Sequence, residues 1–151
     1  MLNETQLKVF VDHATHYFSA FAQEPAIVRV PYLISHDESL VYDYTGVIGV
    51  SGAFRGCVYF TAPARMMQYL LMTQGETEHS QEHCLDVVGE IANTLAGNAR
   101  RELGSDFMIS VPIRIAGKPE QLTLARSARS YAIPIQWRVY SAALVVSLED
   151  G

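Results

Sequence analysis

The chain has 151 residues, 49% hydrophobic and 18% charged, which fits one globular domain, residues 1–151, with a substantial core. Its net charge of −5 and scattered Lys and Arg argue against nucleic acid as a partner, since phosphate binding needs a basic stripe. No apolar run reaches the roughly 18 residues that span a bilayer, and Met1-Leu2-Asn3-Glu4-Thr5 lacks the basic start and apolar block of a secretion signal, so the expectation is a cytoplasmic protein away from membranes.

Apolar residues at Leu7, Phe10, Val11, Ala14, Tyr17, Phe18 and Phe21 have helical spacing and predict an amphipathic helix over 4–22. Asn3 or Thr5 is placed to cap it, with Pro25 just past its end. Residues 26–34 are short and β-branched, and Pro31 puts that strand at an edge or on a bulge. Strands at 40–51 and 54–62 flank Gly52 and make a hairpin. Pro63 opens a helix over 63–73 that turns Met66, Met67, Leu70 and Leu71 inward.

A polar connection, Gly75 to Glu78, leads to a long helix over 79–103 that stops near Gly104. Cys84, Leu85, Val88, Ile91, Ala92, Leu95, Ala99 and Leu103 form its apolar stripe. Asp86, Glu90, Asn93, Gly97, Arg100 and Arg101 form the opposite one, so that face points away from the core. Strands at 107–115, 121–127, 131–137 and 140–148 follow, with turns at Gly117-Lys118-Pro119 and Ser127–Ser130. The element order predicts an α+β fold: an antiparallel sheet of about six strands with three helices on one face.

Within the long helix, Glu90 and Asn93 stand one turn apart on one face. Gly89 and Gly97 flank them, and each mid-helix glycine costs about 1 kcal/mol relative to alanine. Close approach by another chain explains that cost, as does tight packing against a helix or sheet.

Glu90-x-x-Asn93 with Gly97-Asn98 behind it, in Glu-Ile-Ala-Asn-Thr-Leu-Ala-Gly-Asn, resembles the signature of the CheC/CheX/FliY chemotaxis phosphatases. The resemblance extends through the Gly46–Gly56 strand pair, the helix after Thr-Ala-Pro, Ser110-Val-Pro112 and the tail Leu144–Glu149. Only one motif is present, since residues 4–22 hold no second Glu-x-x-Asn, and this favours the CheX-like members. The resemblance implies hydrolysis of the aspartyl phosphate of a response regulator receiver domain. It implies Asn93 as the residue that positions water and Glu90 as the anchor for a lysine of the partner. Asp86, Gly89, Gly97 and Arg100 would form the surrounding docking face, and Asn98 points elsewhere and is given no catalytic role. No cofactor of its own is expected, Mg²⁺ belonging to the partner receiver domain. A homodimer built by pairing sheets is expected as well, because unpaired strand edges tend to be covered or paired.

Other readings stand beside these. Glu90 and Asn93 are also compatible with two solvated residues, or with a catalytically silent dimeric module that binds a signalling partner. His79, His83, Asp86 and Glu90, spaced i, i+4, i+7 and i+11, share a face of the predicted helix and could hold Zn²⁺ or another transition metal, though the order is not that of a zinc protease. Cys57 and Cys84 read as reduced thiols, a disulfide between them being left open. Tyr42-Asp43-Tyr44 and Trp137 read as half-buried strand residues, and Met66 and Met67 as core filler.

Overall fold

The computed structural model describes residues 2–20, 24–35, 37–38, 40–118, 124 and 128–151. Helix α1, Glu4–Ser19, is closed at its start by a reciprocal pair: the Asn3 side chain accepts from the Gln6 N–H, and the Gln6 side chain accepts from the Asn3 N–H. It stops short of the expected residue 22. The Phe18 carbonyl accepts from the Ala26 N–H of the returning chain, so tertiary structure takes an oxygen that a longer helix would use.

The strands β1 (Ile27–Val28), β2 (Tyr32–Ile34), β3 (Tyr44–Gly52), β4 (Phe54–Ala62), β5 (Phe107–Ile109), β6 (Ile113–Ala116), β7 (Arg129–Trp137) and β8 (Tyr140–Asp150) form one antiparallel sheet. Its order is β1-β7-β8-β4-β3-β5, with β2 also on β7 and β6 also on β3. The expected count of about six becomes eight because both edges are broken. Pro31 lies between β1 and β2, and Pro112 between β5 and β6. Proline has no N–H to give a ladder, so each break falls where an edge tolerates it.

The hairpin β3–β4 forms as its sequence predicts, but residues 40–43 leave the ladder. The Tyr42 N–H donates to Thr61 Oγ1 at 2.7 Å, and Asp43 Oδ2 accepts from the Ala64 N–H at 2.7 Å. Asp43 thereby serves helix α2, Ala64–Thr73, whose cap position holds Pro63 with no side-chain acceptor. The expected turn at Ser127–Ser130 is instead partly strand: Arg129 and Ser130 open β7, and Ser130 Oγ and Ser147 Oγ share a hydrogen bond across the ladder. The expected strand at 121–127 lies outside the described residues except Leu124, which is buried.

All three helices cover one face of the sheet. Phe10, Phe18, Met66, Met67, Leu70, Val88, Ile91 and Leu95 meet Ile48, Val58, Phe60, Phe107 and Trp137 in the main core. The other face carries a smaller cluster around Tyr59 and Val145. Helix α3, Gln81–Leu103, is capped by Ser80, whose Oγ accepts from the His83 N–H, and ends at Gly104 with φ of 107°. It lies along β3 because Gly46 admits it: a Cβ there would sit 2.6 Å from the Val88 carbonyl oxygen and 3.0 Å from Gly89 Cα.

Candidate docking and catalytic site

Helix α3 buries Cys84, Val88, Ile91, Ala92, Leu95 and Ala99, and exposes Glu90 and Asn93. Burial of one stripe fixes the rotation of the helix, and that rotation aims the other stripe outward. Neither Glu90 nor Asn93 makes a hydrogen bond or ion pair among the described residues. Their amide and carboxylate groups therefore keep their full bonding capacity for an incoming partner.

Two open hollows meet at this face. One, of about 280 Å³, is lined by Asp86, Gly89, Glu90, Asn93, Pro112 and Arg114. The other, of about 580 Å³, runs toward the helix end past Gly97, Arg101, Ser105 and Ile109. Asn93 belongs to both walls and stands on the ridge between them. Asn98, set aside in the sequence reading, borders the larger hollow.

The proposed docking residues divide. A Cβ on Gly97 would meet nothing within 4 Å, so its surface is open. Gly89 is buried, and a Cβ on it would lie 3.1 Å from Arg114 Cγ. Gly89 lines the smaller hollow, but Arg114 and Pro112 pack against the place its Cβ would take, so its missing side chain also serves packing within the chain. Asp86 is ion-paired with Arg114, both groups about half exposed. Arg100 donates from Nε to the Phe107 carbonyl at 2.9 Å and from Nη2 to the Ser105 carbonyl at 3.4 Å. That guanidinium ties the helix end to β5. Arg101, its neighbour, makes no such bond among the described residues.

Charge at the site is modest. Burial first, and the Glu90 carboxylate second, push the Tyr17 phenol of α1 above its usual range. Tyr17 of α1 thus feels the Glu90 charge. Sequence reasoning missed Arg114, because it arrives from β6 by strand pairing opposite Gly46. Tyr17, read as part of a core stripe, packs against the main core as expected.

The four residues of the metal reading are not gathered. His79 precedes the helix, and its Nε2 bonds the Glu76 carbonyl at 2.6 Å. His83 Nδ1 meets Ser80 Oγ at 2.9 Å, its Nε2 lies 3.3 Å from a Glu78 carboxylate oxygen, and Asp86 turns to Arg114. Among the described residues no three His, Cys, Asp or Glu side chains stand together for a metal, and Cys57 and Cys84 are free thiols.

Residues 44–136 match the family model described as chemotaxis phosphatase CheX. This chain belongs to the CheX family. The match runs from the start of β3 to the penultimate residue of β7 and includes the whole of α3. No curated protein matches the chain. Among solved structures, the chemotaxis protein CheX from Vibrio vulnificus is similar at 24% identity and TM-score 0.80, covering 96% of this chain and 99% of that one. A CheC-like superfamily protein from Shewanella sp. PV-4 is similar at 22% identity and TM-score 0.81, covering 97% and 99%. The CheX of a CheX–CheY–beryllofluoride–Mg²⁺ complex from Borrelia burgdorferi is similar at 15% identity and TM-score 0.80, covering 99% and 100%. At these identities the likeness establishes the CheX fold. No helix of the described residues is long and apolar enough to cross a membrane.

Proposed function

We propose that this CheX family member hydrolyses the aspartyl phosphate of a response regulator receiver domain. The observation that carries the reading is the exposed pair Glu90 and Asn93 on a helix rigidly seated on the sheet, with Asn93 on the ridge between two hollows. A CheX family match and a CheX of the same fold in complex with CheY support the choice of partner.

The chemistry asks little of this chain. A water oxygen attacks phosphorus, the bond from phosphorus to the acyl oxygen breaks, and the partner's aspartate leaves as a carboxylate. The water's protons pass to the phosphate and solvent. Mg²⁺, held by the receiver domain, neutralises the phosphoryl oxygens. What remains is to hold one water in line, and the Asn93 carboxamide can do so: its oxygen accepts from the water and its NH₂ donates to a phosphoryl oxygen. Glu90, one turn away and uncompensated, pairs with a lysine of the partner and fixes the register of docking. No cofactor on this chain is called for.

The chain also self-associates in this proposal, as a homodimer. The β1–β2 edge exposes Ile27, Val30, Tyr32 and Leu33, and it lies at the opposite end of the sheet from β6 and the motif face. Pairing there covers an apolar edge and leaves the site open.

The deciding experiment measures phosphate release from phosphorylated receiver domains of the host, with wild type and Asn93→Ala. Wild type accelerates release and Asn93→Ala loses at least about a hundredfold of that acceleration. Equal rates remove Asn93 from the mechanism, and partner binding without acceleration in wild type establishes the silent binding module instead.

A further inference from the structure

Among the described residues, Arg114 is the one cation in the wall of the hollow that holds Glu90 and Asn93. Three features seat it there. It pairs in β6 directly opposite Gly46 of β3. Gly46 in turn lets α3 descend until its Val88 and Gly89 backbone touches the strand. Gly89 leaves the helix surface bare, and the Arg114 stem lies across it, so that a Cβ on Gly89 would be 3.1 Å from Cγ and 3.2 Å from Cδ. The guanidinium then meets Asp86, which holds it from one side through Nη1.

A guanidinium offers five N–H donors in a planar fork. Asp86 occupies one terminal nitrogen, and the remaining donors make no hydrogen bond among the described residues. A carboxylate that orients an arginine restricts its rotamers in advance, which lowers the entropy lost when an anion is bound. The same pair settles the charge of the motif face. Asp86 and Glu90 are carboxylates one turn apart, and Arg114 neutralises the first while leaving the second for a partner cation.

We infer that Arg114, oriented by Asp86 and seated on Gly89, is a specificity-determining residue that recognises the phosphoryl group on the partner and so separates the phosphorylated from the unphosphorylated receiver domain. The inference rests on the proposed phosphatase reading for its partner. In it, Asn93 handles the water, Glu90 the partner's lysine, and Arg114 the anionic charge that distinguishes the substrate from its product.

The test measures binding of wild type, Arg114→Gln and Arg114→Lys to one receiver domain in two forms: free, and loaded with Mg²⁺ and beryllofluoride as a phosphoryl mimic. The receiver chosen is the host domain that wild type binds most tightly. Arg114→Gln should weaken binding of the loaded form about tenfold, as expected for loss of one hydrogen bond to a charged group, and change the free form less than about twofold. Arg114→Lys should recover part of the difference, because it restores charge without the fork. An equal loss on both forms would make Arg114 a structural clip between β6 and α3, and no loss on either would also overturn the inference. Phosphate release by wild type is read in parallel. Discrimination without hydrolysis ends the phosphatase reading and keeps Arg114 as the discriminator, hydrolysis without discrimination does the reverse, and no binding of either form ends both.

Discussion

Gly46 of β3 lies so close beneath α3 that a methyl group on it would stand 2.6 Å from the carbonyl oxygen of Val88. The contact is with backbone, which cannot turn aside as a side-chain tip can. Gly46→Ala is therefore expected to destabilise the fold by about 1–3 kcal/mol, the usual scale of overpacking. The lifted helix also loses its register with Arg114 on β6. Chemical denaturation measures the first effect, and activity at a temperature where the variant is fully folded measures the second.

Gly97 supplies the opposite case on the same helix, since nothing lies within 4 Å of where its Cβ would be. Gly97→Ala should stabilise the protein by up to about 1 kcal/mol, the propensity difference for a helix interior. If a partner loop approaches here, the same change weakens partner binding. A melting temperature that rises while the affinity for the receiver falls is the expected pattern. A rise in both would leave Gly97 without a docking role.

Glu90 is exposed and uncompensated, so its contribution to docking is electrostatic and open to salt. Glu90→Gln should raise KM several-fold, flatten the dependence of association on ionic strength, and leave stability within about 0.5 kcal/mol of wild type. Stopped-flow association at low and high salt distinguishes this from a loss in the chemical step, which would appear in kcat.

Burial pushes the half-buried Cys57 thiol from 9.0 up to about 11. The folded state therefore keeps a proton that the unfolded chain gives up near pH 9, and the linked stability is present in full below that pH and is lost as pH rises through about 11. Burial raises Tyr17 and Tyr59 in the same direction. The melting temperature should fall between pH 9 and 11, by roughly a few degrees. Cys57→Ala should fall less steeply over the same interval, and parallel curves would mean that Cys57 contributes nothing to it.

Leu33 is 59% exposed on β2 at the edge assigned to self-association. Leu33→Lys places charge on that edge, a device that blocks strand pairing. Sedimentation at micromolar concentration should show wild type as a dimer and the variant shifted toward monomer, with its phosphatase rate per chain unchanged. A monomeric wild type would remove the dimer from the proposal.

Much of this arrangement was legible in the chain because it rests on local patterns. The 3.6-residue spacing in 79–103 placed Glu90 and Asn93 on the solvent face, and α3 exposes both. Pro31 announced an edge or a bulge, and it lies at an edge of the sheet, whereas the single strand expected over 107–115 is broken at Pro112 into β5 and β6. The residues missed are those whose partners are distant in sequence. Asp43 looks like part of a strand until α2 arrives 21 positions later to claim its carboxylate. The reach of α1 to residue 22 was overestimated because periodicity carries no information about a carbonyl taken by Ala26.

The sequence by itself determined the α+β class, the amphipathic rotation of the motif helix and the identity of the pair it displays, because periodicity, propensity and caps act within a few residues. Only the tertiary structure decided what surrounds that pair. Gly89 turned out to be packed against the Arg114 stem, Arg100 to be tied to the Phe107 carbonyl, and Arg114 to share a hollow with Glu90. Those outcomes depend on strand register, and register is set by the burial of a whole sheet face, which no short stretch of sequence encodes.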